Sequence, residues 1–176
     1  MSMKLLLTAA LTLAPAFAQT TVKDALVKHW GESAKFTVAV AQAMPASDYA
    51  FSASPEEMSF GQLVVHIGAA NLGACATASG MPRMTVPEKI AAGLKDEKQK
   101  NVDKELAVKF LADTFDFCNK AVASMTPEKL DAVVGGARKM TGFEWLWSYF
   151  THTAHHRGQA EVYLRVKGIK PPDYVF

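Results

Sequence analysis

The sequence predicts an all-α protein: a four-helix bundle with short connecting helices. Three observations carry that reading. Four long segments repeat apolar residues at the three- and four-residue spacing of one helix face. Most of these segments open and close on recognisable capping residues. No segment shows the alternation of a half-buried strand. With 176 residues, 49% hydrophobic and 20% charged, the chain is long enough for one well-filled core. Its net charge of +2, without a clustered basic excess, speaks against a nucleic-acid partner.

Residues 1–18 read as a secretory signal peptide, and residues 19–176 as the folding domain. Lys4 supplies the positive start, and the apolar stretch 5–15 is too short to span a bilayer. Ala16-Phe17-Ala18 is a small-x-small cleavage site. The expectation is an exported protein, periplasmic or secreted, with no stable membrane anchor after cleavage.

The first long helix is expected over 21–44, with Ala25, Trp30, Phe36, Val40 and Met44 on its stripe and Pro45 ending it. Gly31 weakens its middle. The second covers 59–78, where Ser59 and Gln62 have capping-box spacing and Gly80 follows the end. Its glycine, alanine and serine content lets neighbours approach closely. A short helix over 86–94 follows Thr85, which stands at capping-box spacing to Glu88, with Pro87 in the first turn. The charged stretch 95–104 is expected to be solvated. The third long helix spans 103–125, with Leu111, Phe115, Cys118, Val122 and Met125 on one face. Thr126-Pro127 opens another short helix, which stops before Gly135-Gly136. The fourth runs over 141–167 from a Thr141/Glu144 capping box to Gly168, an αL cap ahead of Pro171-Pro172.

Cys75 and Cys118 fall in the second and third long helices, far too widely spaced for a Cys-x-x-Cys motif. In an exported chain the even pair is either a disulfide tying those helices or two buried thiols acting as small apolar fillers.

Three of the five histidines lie close together on the fourth helix: His152, His155 and His156. They do not share a direction. Trp145, Tyr149, His152, His156 and Tyr163 follow one face, whose aromatic members point it inward. Glu144, Ser148, Thr151 and His155 form a separate polar stripe. Histidines at i and i+4 can chelate one ion. The H-E-x-x-H glutamate is absent, because Thr153 follows His152, so this is not a zincin. A third ligand is offered by His66, which interrupts the apolar run Leu63 to Ile67, where an unpartnered imidazole is costly. A hydrogen-bonded core histidine is the alternative for each residue taken alone. His29 has no such context and reads as a surface or packing residue.

The sequence resembles the DinB-like (DinB/YfiT) superfamily of metal-binding four-helix bundles. The resemblance rests on Ser59-Phe60-Gly61-Gln62-Leu63 leading into Val65-His66-Ile67. It rests also on His152-Thr153-Ala154-His155-His156-Arg157-Gly158-Gln159, followed by Tyr163-Leu164-Arg165 and Gly168. It covers essentially the whole domain in helix order and length. It implies His66, His152 and His156 as a metal triad that leaves a coordination position for water or substrate. The cofactor implied is one divalent ion, zinc or nickel foremost, with iron, copper and manganese also compatible. Arg157 and Gln159 match the family's R-G-Q. Arg157 reads first as a tie between helices and second as a substrate contact, and Gly158 as a point of close helix packing. Tyr149 and Tyr163 either orient a substrate or serve as core aromatics with satisfied hydroxyls.

Two functional classes follow. One is an exported metal-dependent hydrolase or transferase acting on an unidentified small molecule. The other is a non-catalytic metal- or ligand-binding protein in stress or metal handling. Relatives include thiol transferases, but export removes this chain from the cytosolic thiol pool. Neither Glu144 nor Glu161 shares the ligand stripe, so no general base is identified. A homodimer through an exposed helix face is compatible with the sequence, although no heptad seam requires it.

Overall fold

The computed structural model describes residues 20–96 and 98–174, so the signal-peptide reading of residues 1–18 lies outside the described residues. Four long helices form the bundle: α1 (Val22–Ala43), α2 (Phe60–Ser79), α4 (Lys104–Ala123) and α6 (Gly142–Val166), with short helices α3 (Glu88–Gly93) and α5 (Pro127–Asp131) between them. Among the described residues, no helix is long and apolar enough to cross a membrane.

The capping chemistry does what the spacing implies. Ser59 Oγ accepts from the Gln62 amide while the Gln62 side chain accepts from the Ser59 amide. Thr141 and Glu144 make the same reciprocal pair at the start of α6. Gly80 and Gly168, both at φ 73°, supply the left-handed conformation that ends α2 and follows α6. The short helix α3 differs from expectation. Pro87 is its N-cap, in an extended conformation (φ −54°, ψ 140°), and no side chain caps it. Thr85 therefore lies outside the helix, and the Thr85/Glu88 box is not made.

Two further expectations are corrected. Val133–Val134 and Met140–Thr141 pair as a two-residue antiparallel ladder, β1 and β2, around the Gly135-Gly136 turn. Strands this short contain no alternation to detect. The charged stretch 95–104 is not wholly solvated either. Lys100 Nζ donates to the carbonyls of Pro55 and Glu57, and its own carbonyl accepts from Ser59 Oγ at 2.7 Å. These bonds strap the segment before α4 to the loop before α2.

Packing sets the topology. Both α1 and α2 pack against α4 and α6, so the first two long helices face each other across the bundle diagonal. The reason lies in α2, whose buried residues include Phe60, Leu63, Val64, Val65, Ile67, Leu72 and Cys75 around nearly its whole circumference. A helix apolar on all sides needs neighbours on all sides. Its small residues permit this: a Cβ at Gly68 would lie only 2.8 Å from Phe110 Cε1 of α4.

Cys75 and Cys118 are bonded across the α2–α4 contact, with Cα atoms 5.3 Å apart and both side chains buried. For a link across 43 positions, the loop-entropy model gives a stabilisation of about 4 kcal/mol. The Cys75→Ala/Cys118→Ala double variant should therefore unfold at clearly lower denaturant, by a free energy of about that size. An unchanged midpoint in equilibrium denaturation would show that the bond contributes nothing.

Candidate metal centre

α2 and α6 bring together side chains separated by 86 positions in the chain. Nε2 of His152 stands 3.1 Å from Nε2 of His66 and 3.1 Å from Nε2 of His156. One ligand atom from each of the three residues falls within 4.8 Å of the others. His155 is exposed and stacks its ring edgewise on His156 at 4.8 Å, outside the cluster.

The cluster lies beside the buried face of α6, not at its centre. Leu146, Thr153, Arg157, Ala160 and Leu164 are buried, whereas Trp145, Tyr149, His152 and His156 are half-buried. The stripe expected to point inward thus borders the core along Trp145 to His156 and enters it at Tyr163, which is buried. Beneath it, Thr153 Oγ1 accepts from Asn71 Nδ2 at 2.9 Å and donates to the Tyr149 carbonyl at 2.9 Å. This buried bond locks the relative height of α2 and α6, and so the distance between their histidines. The available sequence signal was Asn71 itself, a second polar interruption of the apolar second helix.

Proton accounting favours a cation. Gln159 Oε1 accepts from His156 Nδ1–H at 2.7 Å, which leaves His156 Nε2 as a bare lone pair. A proton on His152 Nε2 can serve one neighbouring nitrogen but not both. His152 Nδ1 is buried without a partner among the described residues. Desolvation, with repulsion among the imidazoles, lowers the pKa of all three, and His152 falls to about 4. Three uncharged imidazoles with converging lone pairs are a fitting donor set for a divalent ion.

The surroundings separate the other candidates. Gln159 orients His156 directly. The Tyr149 ring lies 5.5 Å from that of His152. Tyr163 donates its hydroxyl to the Met58 carbonyl at 3.1 Å and packs on Phe51, holding the loop before α2. Arg157 faces away from the triad and bonds Ser33 Oγ and Thr37 Oγ1 of α1 at 3.1 and 3.2 Å. Gly158 does not mediate close packing: it is exposed, and a Cβ there would meet nothing within 4 Å. Glu144 is committed to Thr141, and Glu161 to Arg157 and Arg165. The cluster holds no carboxylate. His66 also lies on the wall of a cleft of about 1100 Å³, shared with Met58, Gln62, Val65, Ile90 and Val102.

The sequence model of the DinB superfamily matches residues 29–160, a span containing all three histidines. The chain belongs to the DinB superfamily. Solved structures agree on the DinB fold. A DinB-like protein from Bacillus subtilis superposes with a TM-score of 0.66 at 22% identity, covering 85% of this chain and 96% of that one. One from Bacillus cereus gives 0.68 at 16% identity, covering 86% and 95%. YfiT from Bacillus subtilis gives 0.65 at 15% identity, covering 89% and 95%; it is described as a probable metal-dependent hydrolase with an unusual four-helix bundle topology. Against curated proteins the sequence finds no significant match.

The depressed histidine pKa values make a pH prediction for this DinB protein. The unfolded chain takes up protons near pH 6.5, before the folded His152 does at about 4. Stability of metal-free protein should be fully present above pH 6.5 and decline as pH falls toward 4. Thermal melts across that window should show a shallower decline for His152→Asn. A slope identical to the parent's would mean that His152 is not the group responsible.

Proposed function

We propose that this protein is an exported metal-dependent hydrolase or transferase in which His66, His152 and His156 hold one divalent ion, zinc or nickel foremost. The observation that carries the reading is the convergence of three uncharged imidazoles beside an open cleft. The description of YfiT as a probable metal-dependent hydrolase supports it. An ion held by three histidines supplies Lewis acidity, polarising a substrate oxygen or acidifying a water.

The chain's own residues supply positioning. Gln159 keeps Nδ1 of His156 protonated and turns its Nε2 toward the centre. The Asn71–Thr153 bond sets the height of the two ligand helices. Tyr149 packs its ring against that of His152 and so helps fix this imidazole. The Cys75–Cys118 bond suits the oxidising compartment that export implies.

A second reading is a non-catalytic metal- or ligand-binding protein. It is favoured by one observation: among the described residues the triad includes no carboxylate, and Glu144 and Glu161, which flank its α6 ligands, are engaged elsewhere, while Glu56 and Glu57 line the cleft beside His66 without joining the cluster.

Elemental analysis of protein purified without chelator should find one divalent ion per chain, lost on His66→Ala and on His156→Ala. Gln159→Leu should retain the ion but weaken it by about 10- to 100-fold in competition with a chromogenic chelator. Stoichiometric metal surviving both histidine changes would sink the triad. The loaded protein should turn over some member of an ester, amide, phosphoester and thiol-conjugate panel, with activity removed by chelator and restored by metal. Inactivity throughout, with a spectroscopically closed ion, would favour the binding reading.

A further inference from the structure

A second cavity, of about 520 Å³, runs along the seam between α1 and α6, and none of its described lining residues comes from α2. Sites for small molecules have volumes of about 300–1,000 Å³. Its wall is aromatic. Phe143, Trp147 and Phe150 stack in series along α6, with centroids 6.2 and 5.9 Å apart. Leu26 and Trp30 of α1 face them across the groove. At the mouth, Val22 and Trp147 are 57% and 51% exposed, so apolar surface stands open to water where burial would be favourable.

The polar lining of this groove includes a buried cation. Arg157, only 5% exposed, lines it. Its Nη1 donates to the hydroxyls of Ser33 and Thr37, Tyr174 is also bonded to it, and its plane lies over the rings of Phe36 and Tyr174 at 4.6 and 5.7 Å. Its ion-pair partner among the described residues is Glu161, whose Oε1 is 3.9 Å from Nε and whose other oxygen is shared with Arg165 at 3.5 Å. Glu32 also lines the groove, but its carboxylate is taken by Lys35 at 2.8 Å. The indole Nε1–H of Trp30 is buried without an acceptor among the described residues. None of the hydroxyl and ring partners of Arg157 carries a formal negative charge, and a buried guanidinium whose carboxylate partner is distant and shared favours an added anion on its remaining N–H groups.

We propose that the α1–α6 groove binds an amphipathic monocarboxylate, with its apolar body along Trp147 and Phe150 and its carboxylate directed to Arg157. The site is separate from the triad: His156 and Arg157 are adjacent in the chain, but His156 lies against His66 of α2 and Arg157 against α1.

Calorimetric titration of the full chain, treated with chelator, with decanoate, 1-decanol and decylamine tests this. Decanoate should bind at one saturable site, about tenfold or more tighter than decanol, and decylamine should not bind. Trp147→Ala removes an exposed wall residue and should weaken decanoate about tenfold. Arg157→Lys should weaken decanoate by a similar factor and leave decanol unchanged. Because Arg157 also ties α6 to α1, Val22→Glu provides a second check. It places a carboxylate at the exposed mouth and should weaken decanoate selectively without disturbing the core. Equal affinity for decanoate and decanol, indifference to Trp147→Ala, or no saturable binding would overturn the proposal. So would binding that requires added divalent ion, which would locate it at the triad. A concentration-dependent dimer in sedimentation, broken by Trp147→Ala, would make the groove a subunit interface and also overturn it.

Discussion

The second long helix has to be enclosed. Its apolar residues run around most of its circumference, so burial on one side is insufficient, and α4 and α6 must both pack against it. The rest of the molecule follows from that requirement. The α4 contact is made close by Gly68 and fastened by the Cys75–Cys118 bond. The α6 contact receives the two polar groups that α2 carries inside its apolar run, His66 and Asn71. Asn71 is buried and His66 half-buried, each at a cost of desolvation, and each finds its partners on α6: Asn71 in Thr153, His66 in His152 and His156. The candidate metal centre is therefore a consequence of how the most buried helix satisfies its polar interruptions.

The sixth helix divides its work by direction. One edge presents histidines to α2, the buried stripe presents Thr153 and Arg157 to the core and to α1, and a further edge presents Phe143, Trp147 and Phe150 to a groove. A helical step of about 100° per residue allows adjacent side chains to serve different neighbours. His155, His156 and Arg157 illustrate it: one is exposed, one joins the triad, and one is buried against α1. The same geometry explains why three neutral imidazoles coexist. They sit at the border of the core, where burial disfavours their protonated forms while leaving an approach from the cleft beside His66.

Much of the fold and of the site was legible in the chain. Capping boxes at Ser59/Gln62 and Thr141/Glu144 mark helix starts because reciprocal side-chain bonds need only local spacing. The i, i+4 spacing of His152 and His156 is likewise local. Thr85/Glu88 shows the limit: the spacing is right, but Pro87 adopts an extended conformation and moves the helix start beyond Thr85. The β1–β2 ladder was illegible because two residues per strand carry no period. Gly158 looked like a packing residue by its motif, yet faces solvent, because direction around a helix depends on where the neighbouring helices lie.

By itself the sequence determined an all-α chain, the approximate ends of its four long helices, and the shared face of His152 and His156. These depend on side-chain period and capping, which act over a few residues. Only the tertiary structure decided that α1 and α2 oppose each other diagonally. Only it decided that Arg157 belongs to α1 rather than to the triad, and that Asn71 sets the ligand helices' height by bonding Thr153. Those outcomes depend on enclosing α2 from several sides at once, and no local spacing encodes which helix does the enclosing.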